Sequence, residues 1–342
     1  MPKKGGVSGI SMATAQDIVR AWNLPHMKRQ QDVFEYLGLC TDSGTMSFYR
    51  QQAEEMTGIM LKPHNNKYNK STRIERANLP EQMEKISVTD HPYGILVFSD
   101  AHFEGEETVA FKIMLKVLRD LIKTKEIKCI IANGDMMDLK VLSTFAKLTL
   151  ELEPAPRTVQ QEILDSQKQL NKLQKVINSS KSPIMQLATF GNHEERLAKW
   201  ISRFGRQFED FEGFRMDVLF PDWQWSYSFL LDDTVVVKHN MRSGIHAGYQ
   251  NSWRAGINII TGHTHQLNTR SFATYSATNS AVQTRHLSEQ YHPYLKENIA
   301  NDWQNGFAVV MVDPTTKTIH PELVYVNNHD RSAFFRGKKY SA

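Results

Sequence analysis

Five apolar stretches of this chain each empty abruptly into residues of the kind that bind metal ions, and that repetition restricts the fold more than any other feature. Residues 95–99 run into Asp100-Ala101-His102, residues 128–132 into Asn133-Gly134-Asp135, and residues 184–190 into Gly191-Asn192-His193-Glu194. Residues 235–238 run into His239-Asn240, and residues 257–261 into Gly262-His263-Thr264-His265. Each run is aliphatic and largely β-branched, as a buried strand requires. A carboxylate placed directly after such a run is costly unless something positive sits beside it, so Asp135 reads as a metal ligand. In open α/β sheets the loops beyond the carboxyl ends of the strands meet, and ligands bind there. The five ends are therefore expected to converge.

Ahead of these ends, residues 1–80 read as a small helical region. Thr14-Ala15-Gln16-Asp17 has the form of a cap and first turn before Ile18, Val19 and Trp22, and Leu24-Pro25 stops that helix. Val33, Phe34, Tyr36 and Leu37 make a second pattern that ends at Gly38, and residues 46–60 make a third. Three short helices fit either a helix-turn-helix unit or an appendage packed on the main domain or another subunit. Residues 62–76 carry Lys67, Lys70, Arg73 and Arg76 against Glu75 alone, and read as a linker that is solvated or laid along a phosphate backbone.

From residue 90 to about 330 strands alternate with helices. Phe111, Met114, Leu115, Leu118, Leu121 and Ile122 recur at helical spacing, so residues 94–134 make a βαβ unit. Pro154 and Pro156 break the chain, and Thr158-Val159-Gln160-Gln161 opens a long helix with capping-box form. A helix over residues 194–204 follows, then Trp223 and Trp225 as core residues, and a hairpin at Asp232-Asp233. Residues 307–312 and 322–326 close the domain around Asp313-Pro314, and residues 331–342 form a basic tail expected to be mobile.

A formal net charge of +4 suits phosphate-rich partners without requiring one. The cysteines, Cys40 and Cys129, allow neither a disulfide framework nor a thiolate zinc site. The opening residues lack the apolar core of a signal peptide, and no run approaches the roughly 20 apolar residues that span a bilayer. A cytoplasmic protein with no membrane partner is expected.

The series Asp100-x-His102, Gly134-Asp135-x-x-Asp138, Gly191-Asn192-His193-Glu194, His239 and Gly262-His263-x-His265 resembles the calcineurin-like metallophosphoesterases over residues 94–326, in a style similar to bacteriophage members. The resemblance implies an α/β (α+β) fold, a β-sandwich of two mostly parallel sheets flanked by helices. It implies two divalent ions, one held by Asp100, His102 and His265 and the other by Asn192, His239 and His263, with Asp135 shared. Carboxylate, amide and imidazole suit Mn²⁺, Fe or Zn²⁺ better than an all-oxygen calcium cage. Two ions about 3.5–4 Å apart can clamp a phosphoryl group and generate hydroxide from water. On an extended chain, His263 and His265 would point the same way.

By the same resemblance His193 is not a ligand but sits near the leaving-group oxygen, as a general acid or as a charge on the phosphate, oriented by Asp138. Asp138 read alone also fits a helix N-terminal carboxylate. Arg196 and Arg242, each three residues past a site histidine, are candidates for gripping phosphate oxygens. The chain departs from the protein serine/threonine phosphatase branch by carrying Leu139 where that branch has arginine, and from many relatives by Asn240 where they have glycine. Neither change removes a ligand. The expected activity is a manganese-type dinuclear hydrolase leaning to phosphodiesters, as a nuclease or nucleotide phosphodiesterase. A phosphomonoesterase, or a DNA- or protein-binding module on a phosphoesterase scaffold, stands as the alternative.

Overall fold

A computed structural model of the chain describes residues 10–24, 27, 30–39, 43–59, 61, 83–143, 157–208, 211–244, 246–275, 277–288 and 303–342. The expected basic linker at 62–76 and the two prolines of the 151–156 break lie outside them. The chain divides into two compact units, Met1–Glu81 and Gln82–Ala342.

In the first unit three helices, α1 (Met12–Trp22), α2 (Gln30–Tyr36) and α3 (Ser43–Thr57), enclose Ile18, Trp22, Val33, Phe34 and Ala53. The cap of α1 is Ser11, whose hydroxyl accepts from the amide of Thr14 at 3.1 Å, not Thr14 as the sequence suggested. Either residue can cap. The helix begins a turn earlier, and Ala15 lies buried on its apolar stripe with Ile18 and Trp22.

The second unit is a sandwich of two mixed sheets with helices on both outer faces, most of them on the larger sheet. The larger sheet runs β14-β13-β12-β11-β2-β3-β4-β5 and the smaller β1-β6-β7-β8-β10-β9. Its strands are β1 (Met83–Ile86), β2 (Tyr93–Phe98), β3 (Ile127–Asn133), β4 (Met185–Thr189), β5 (Gln224–Ser226), β6 (Ser228–Leu231) and β7 (Val235–Lys238). They continue with β8 (Asn258–Thr261), β9 (Asn268–Ala273), β10 (Thr278–Gln283), β11 (Gly306–Asp313), β12 (Thr318–Asn327), β13 (Ser332–Phe335) and β14 (Lys338–Ser341). Parallel pairing is confined to β2 through β5 in one sheet, and to β1 with β6, β7 with β8 and β8 with β10 in the other; the remaining ladders are antiparallel. Both sheets are thus mixed, and the expected parallel majority holds only in the smaller, where three of the five described ladders are parallel against three of seven in the larger. The hairpins at 232–234 and 313–317 turn the chain straight back, which only antiparallel neighbours allow.

Alternation along β2 assigns its side chains to two cores. Ile95 and Val97 meet Phe229, Val237 and Ile260 between the sheets, while Leu96 and Phe98 face the helical layer. That layer is α4 (Val109–Thr124) and α5 (Val159–Ile177). Thr108 caps α4, and Thr158 with Gln161 forms the capping box of α5. The next helices are α6 (Glu194–Phe204), the single turn α7 (Met216–Leu219) and α8 (Ala247–Ala255). Trp223 lies in the core, edge-on to Phe98.

The C-terminal residues are not a mobile tail. β13 and β14 pair as the outer hairpin of the larger sheet, with Tyr340 buried and bonded to Asp120 at 3.0 Å and Arg336 bonded to Glu322 and Glu126. Their cations find carboxylates from α4 and β12, which a count of basic residues does not reveal.

Candidate metal centre

Five strand ends meet where the sequence placed them, and their backbones are laced together before any side chain is considered. The amides of Asp100 and His102 donate to the carbonyls of Gly134 and Asp135, both at 3.0 Å, and the amide of Gly262 donates to the carbonyl of His239 at 2.9 Å. Gly134 has φ +78°, and a Cβ there would lie 2.5 Å from Nδ1 of His239. At Gly191 a Cβ would lie 2.1 Å from Oδ1 of Asp135. Only glycine permits either approach.

The carboxylates are buried with one oxygen pinned and the other turned inward. Asp135 Oδ1 accepts from the amide of His193 at 2.9 Å, leaving Oδ2 3.1 Å from Nε2 of His239 and 3.8 Å from Nε2 of His193. Asp100 Oδ2 accepts from the amide of His263 at 3.0 Å, while Oδ1 accepts no hydrogen bond although Nε2 of His265 lies 3.1 Å away. His239 directs Nδ1 to the carbonyl of Asn133 at 2.7 Å, so that nitrogen carries the hydrogen. Its Nε2 lone pair then faces Asp135 Oδ2 and, at 3.3 Å, Asn192 Oδ1. Electron pairs converging on one point call for a cation, either a proton or a metal ion. This donor set fits the ions that the sequence implied.

Three groups of side chains can each hold an ion with ligand atoms within 4.8 Å of one another: Asp100 with His102 and His265, His102 with Asp135 and His193, and Asp135 with His239 and His263. Asn192 joins the last group through its contact with His239. The electrostatics follow from these distances. Burial alone would raise Asp100, but the imidazoles of His265 and His239 hold it well below the usual carboxylate range. Asp135 is lowered in the same way, against its burial, chiefly by His239. Burial opposes protonation of His239, but Asp135 and Asp100 push it up to about 10. Burial and the neighbouring His193 lower His102 to about 3.

His263 and His265 do not share a side of an extended strand. Both are left-handed, φ 67° and 56°, and they serve different groups, His263 beside His239 and His265 beside Asp100 and Trp303. Successive left-handed turns splay their side chains where an extended chain would align them. Asp100, His102 and Asp135 are left-handed too, at φ 50°, 41° and 53°. Each such residue costs about 1–3 kcal/mol, borne here by the surrounding hydrogen bonds.

His193 lies beside the cluster, its Nδ1 2.8 Å from the carbonyl and 2.9 Å from Oδ1 of Asp138. Burial opposes its charging, but the Asp138 hydrogen bond and the Asp135 charge raise its pKa. Asp138 precedes a short 3-10 turn, Lys140–Leu142, and its side chain faces His193 and His102. Arg196 donates to the Asp138 carbonyl at 2.6 Å and sits 2.9 Å from Nε2 of His193. Arg242 stays exposed in the loop after β7, outside the converging groups.

Two structural residues escaped the sequence reading. Glu194 accepts from the amides of Asp135, Met136, Met137 and Gly191 at 2.7 to 3.2 Å, binding two site loops together. Its place in the Gly-Asn-His-Glu run was visible, but nothing local announces that use. Glu162 of α5 accepts from the amides of Leu139 and Lys140 and fixes the loop behind Asp138.

The model of the calcineurin-like phosphoesterases matches residues 93–283, and the chain belongs to that family. As such it is a hydrolase acting on phosphate esters. Similar solved structures include the nuclease MPE of Pseudomonas putida, 12% identical over 67% of this chain and 87% of that one, TM-score 0.27. A protein serine/threonine phosphatase of Saccharomyces cerevisiae is 11% identical over 71% and 83%, TM-score 0.33. A dimetal phosphatase of Danio rerio is 10% identical over 64% and 94%, TM-score 0.26. No curated protein matches the chain in sequence. Among the described residues no helix is long and apolar enough to cross a membrane.

Proposed function

We propose that this protein hydrolyses a phosphodiester, in nucleic acid or a nucleotide, at a centre of two divalent ions, Mn²⁺ first among them and Fe or Zn²⁺ next. The observation that carries this reading is the position of Asp135, whose inward oxygen lies between His193 and His239 while the two ligand groups flank it. Asp100, His102 and His265 would hold one ion, Asn192, His239 and His263 the other, and Asp135 both. When bound, such ions neutralise the phosphoryl oxygens and lower the pKa of a water molecule.

The chain's own residues do the rest. Asp138 holds Nδ1 of His193, so Nε2 is the nitrogen left to deliver a proton to the departing oxygen. The raised pKa of His193 favours that proton being present near neutrality. Arg196, now against Nε2 of His193, would turn onto a phosphate oxygen as substrate enters, freeing that nitrogen. Arg242 is the second candidate for the phosphate.

Support for a diester is the positive net charge, together with a separate helical unit that can serve in recognition. A reducing cytoplasm suits Cys129, buried and held above the usual thiol range by burial. The deciding experiment compares turnover of bis-p-nitrophenyl phosphate and p-nitrophenyl phosphate in manganese, then screens single- and double-stranded DNA, RNA and cyclic nucleotides. Preference for the monoester would replace the diester reading with a phosphomonoesterase. No turnover of any ester, with a salt-dependent gel shift retained, would leave a binding module.

A further inference from the structure

Two hollows border α4, and both are lined by cations. The one between α4 and α5, about 840 Å³, is walled by Arg119, Lys123, Lys125, Lys128, Lys175 and Lys181 over an apolar floor that includes Ile122 and Val176. The other, about 320 Å³, shares Arg119 and Lys123 and adds Lys116, Lys338 and Lys339 from the far side. The carboxylates that line them are Glu107 and Asp120, and both are engaged, Glu107 with Lys172 and Asp120 with Lys123 and Lys338. Arg119, Lys125, Lys128, Lys175 and Lys181 have no carboxylate partner among the described residues.

Folding explains only part of this. Cations in the last turn of a helix meet its unsatisfied carbonyls, which accounts for Lys123, Lys125 and Lys175. Arg119 sits within α4, Lys128 in β3 and Lys181 beyond α5, where no such partner exists. The whole chain carries a formal charge of only +4, and the ten cations that line the two hollows against two carboxylates exceed it, so the rest of the chain sums to a net negative charge. That segregation is the footprint of a polyanion site.

We propose that this face binds the sugar-phosphate backbone of a nucleic acid strand. A helix with its side chains is about 10–12 Å across, too wide for one compact phosphate to reach the hollows on both sides. A strand of regularly spaced phosphates laid over α4 reaches both. Lys128 stands near the start of β3 and Asp135 lies just past its end, so the face is remote from the metal centre and tethers the polymer instead of cutting it. It therefore stands whether or not the bound polymer is the substrate.

The test uses the full chain in EDTA, which prevents cleavage, and follows fluorescence anisotropy of labelled single- and double-stranded oligonucleotides across a salt series. Replacing Arg119, Lys125, Lys175 and Lys181 together by Gln is expected to weaken binding at least tenfold and to reduce the slope of log affinity against log salt by about 3 to 4 on duplex DNA. Charge reversal to Glu at the same positions should weaken it further. The Gln variant, whose substitutions lie on the surface, should keep the wild-type melting temperature and bis-p-nitrophenyl phosphate turnover. Unchanged affinity and salt slope in a folded Gln variant would overturn the proposal. So would wild-type affinity for poly-glutamate equal to that for nucleic acid. Lost turnover of the ester in the wild type, with binding intact, strikes the catalytic reading alone.

Discussion

His102 and His239 belong to two ligand groups that share Asp135, yet their charge states diverge. His239 touches Asp135 at 3.1 Å and is pushed up to about 10, whereas His102 lies 3.7 Å from Asp138 and falls to about 3. Burial disfavours charge at both. The difference is the neighbour each ring meets, the Asp135 carboxylate at His239 and the His193 imidazole at His102. One half of the centre thus calls for a positive charge and the other is ready as a neutral ligand.

The largest expected effect comes from removing the carboxylate that creates this contrast. Asp135→Asn should lower hydrolysis by roughly 10³-fold or more, since it strips the proposed shared ligand and the charge that faces His239. In the metal-free protein the same change should bring the His239 imidazole down towards its ordinary pKa, read by NMR titration; a variant with near-normal turnover breaks the shared-ligand idea. Next in size, His193→Ala should cost about 10²–10⁴-fold in kcat on substrates with poor leaving groups, and far less on p-nitrophenyl esters. Asp138→Asn should cost about 10–100-fold and shift the alkaline limb of the pH profile downward. Equal losses on good and poor leaving groups would remove the proton-donor role.

The contrast also has a sign that melting experiments can read. The raised His239 stabilises the metal-free fold fully below about 6.5, its ordinary value, and that contribution is lost as pH rises through about 10. His102, depressed to about 3, acts oppositely: its contribution is present above about 6.5 and lost as pH falls. After EDTA treatment, the wild-type melting temperature should decline between roughly pH 7 and 10 while His239→Gln stays flatter. Parallel curves would show that the two rings are alike after all. The smallest effect is expected at Glu162, raised from 4.5 to about 7 by burial and by Asp138. A raised acid favours its protonated form in the fold, so stability falls as pH climbs from about 4.5 to 7, by up to about 3 kcal/mol. Glu162→Gln should flatten that slope in urea titrations.

Much of this was legible in the residues. The aliphatic runs ending in Asp100, Asp135, Asn192, His239 and His263 declared both the strands and their meeting place, because period and composition are local signals. Thr158 with Gln161 announced the start of α5 for the same reason. What stayed hidden depends on distant partners or on backbone conformation. The left-handed turns at His263 and His265 are imposed by neighbours such as Asp100, more than 160 residues away in the chain. Arg336 and Lys338 look like tail residues until Glu322 and Asp120 are brought beside them. The acceptors Glu194 and Glu162 answer amides that belong to other loops.

Glu194 grips peptide nitrogens, never the side chains of the residues it restrains. Met136 and Met137 can therefore be exchanged for other buried residues of the same volume without loosening that clasp. Exchange of Glu194 itself would free two loops at once.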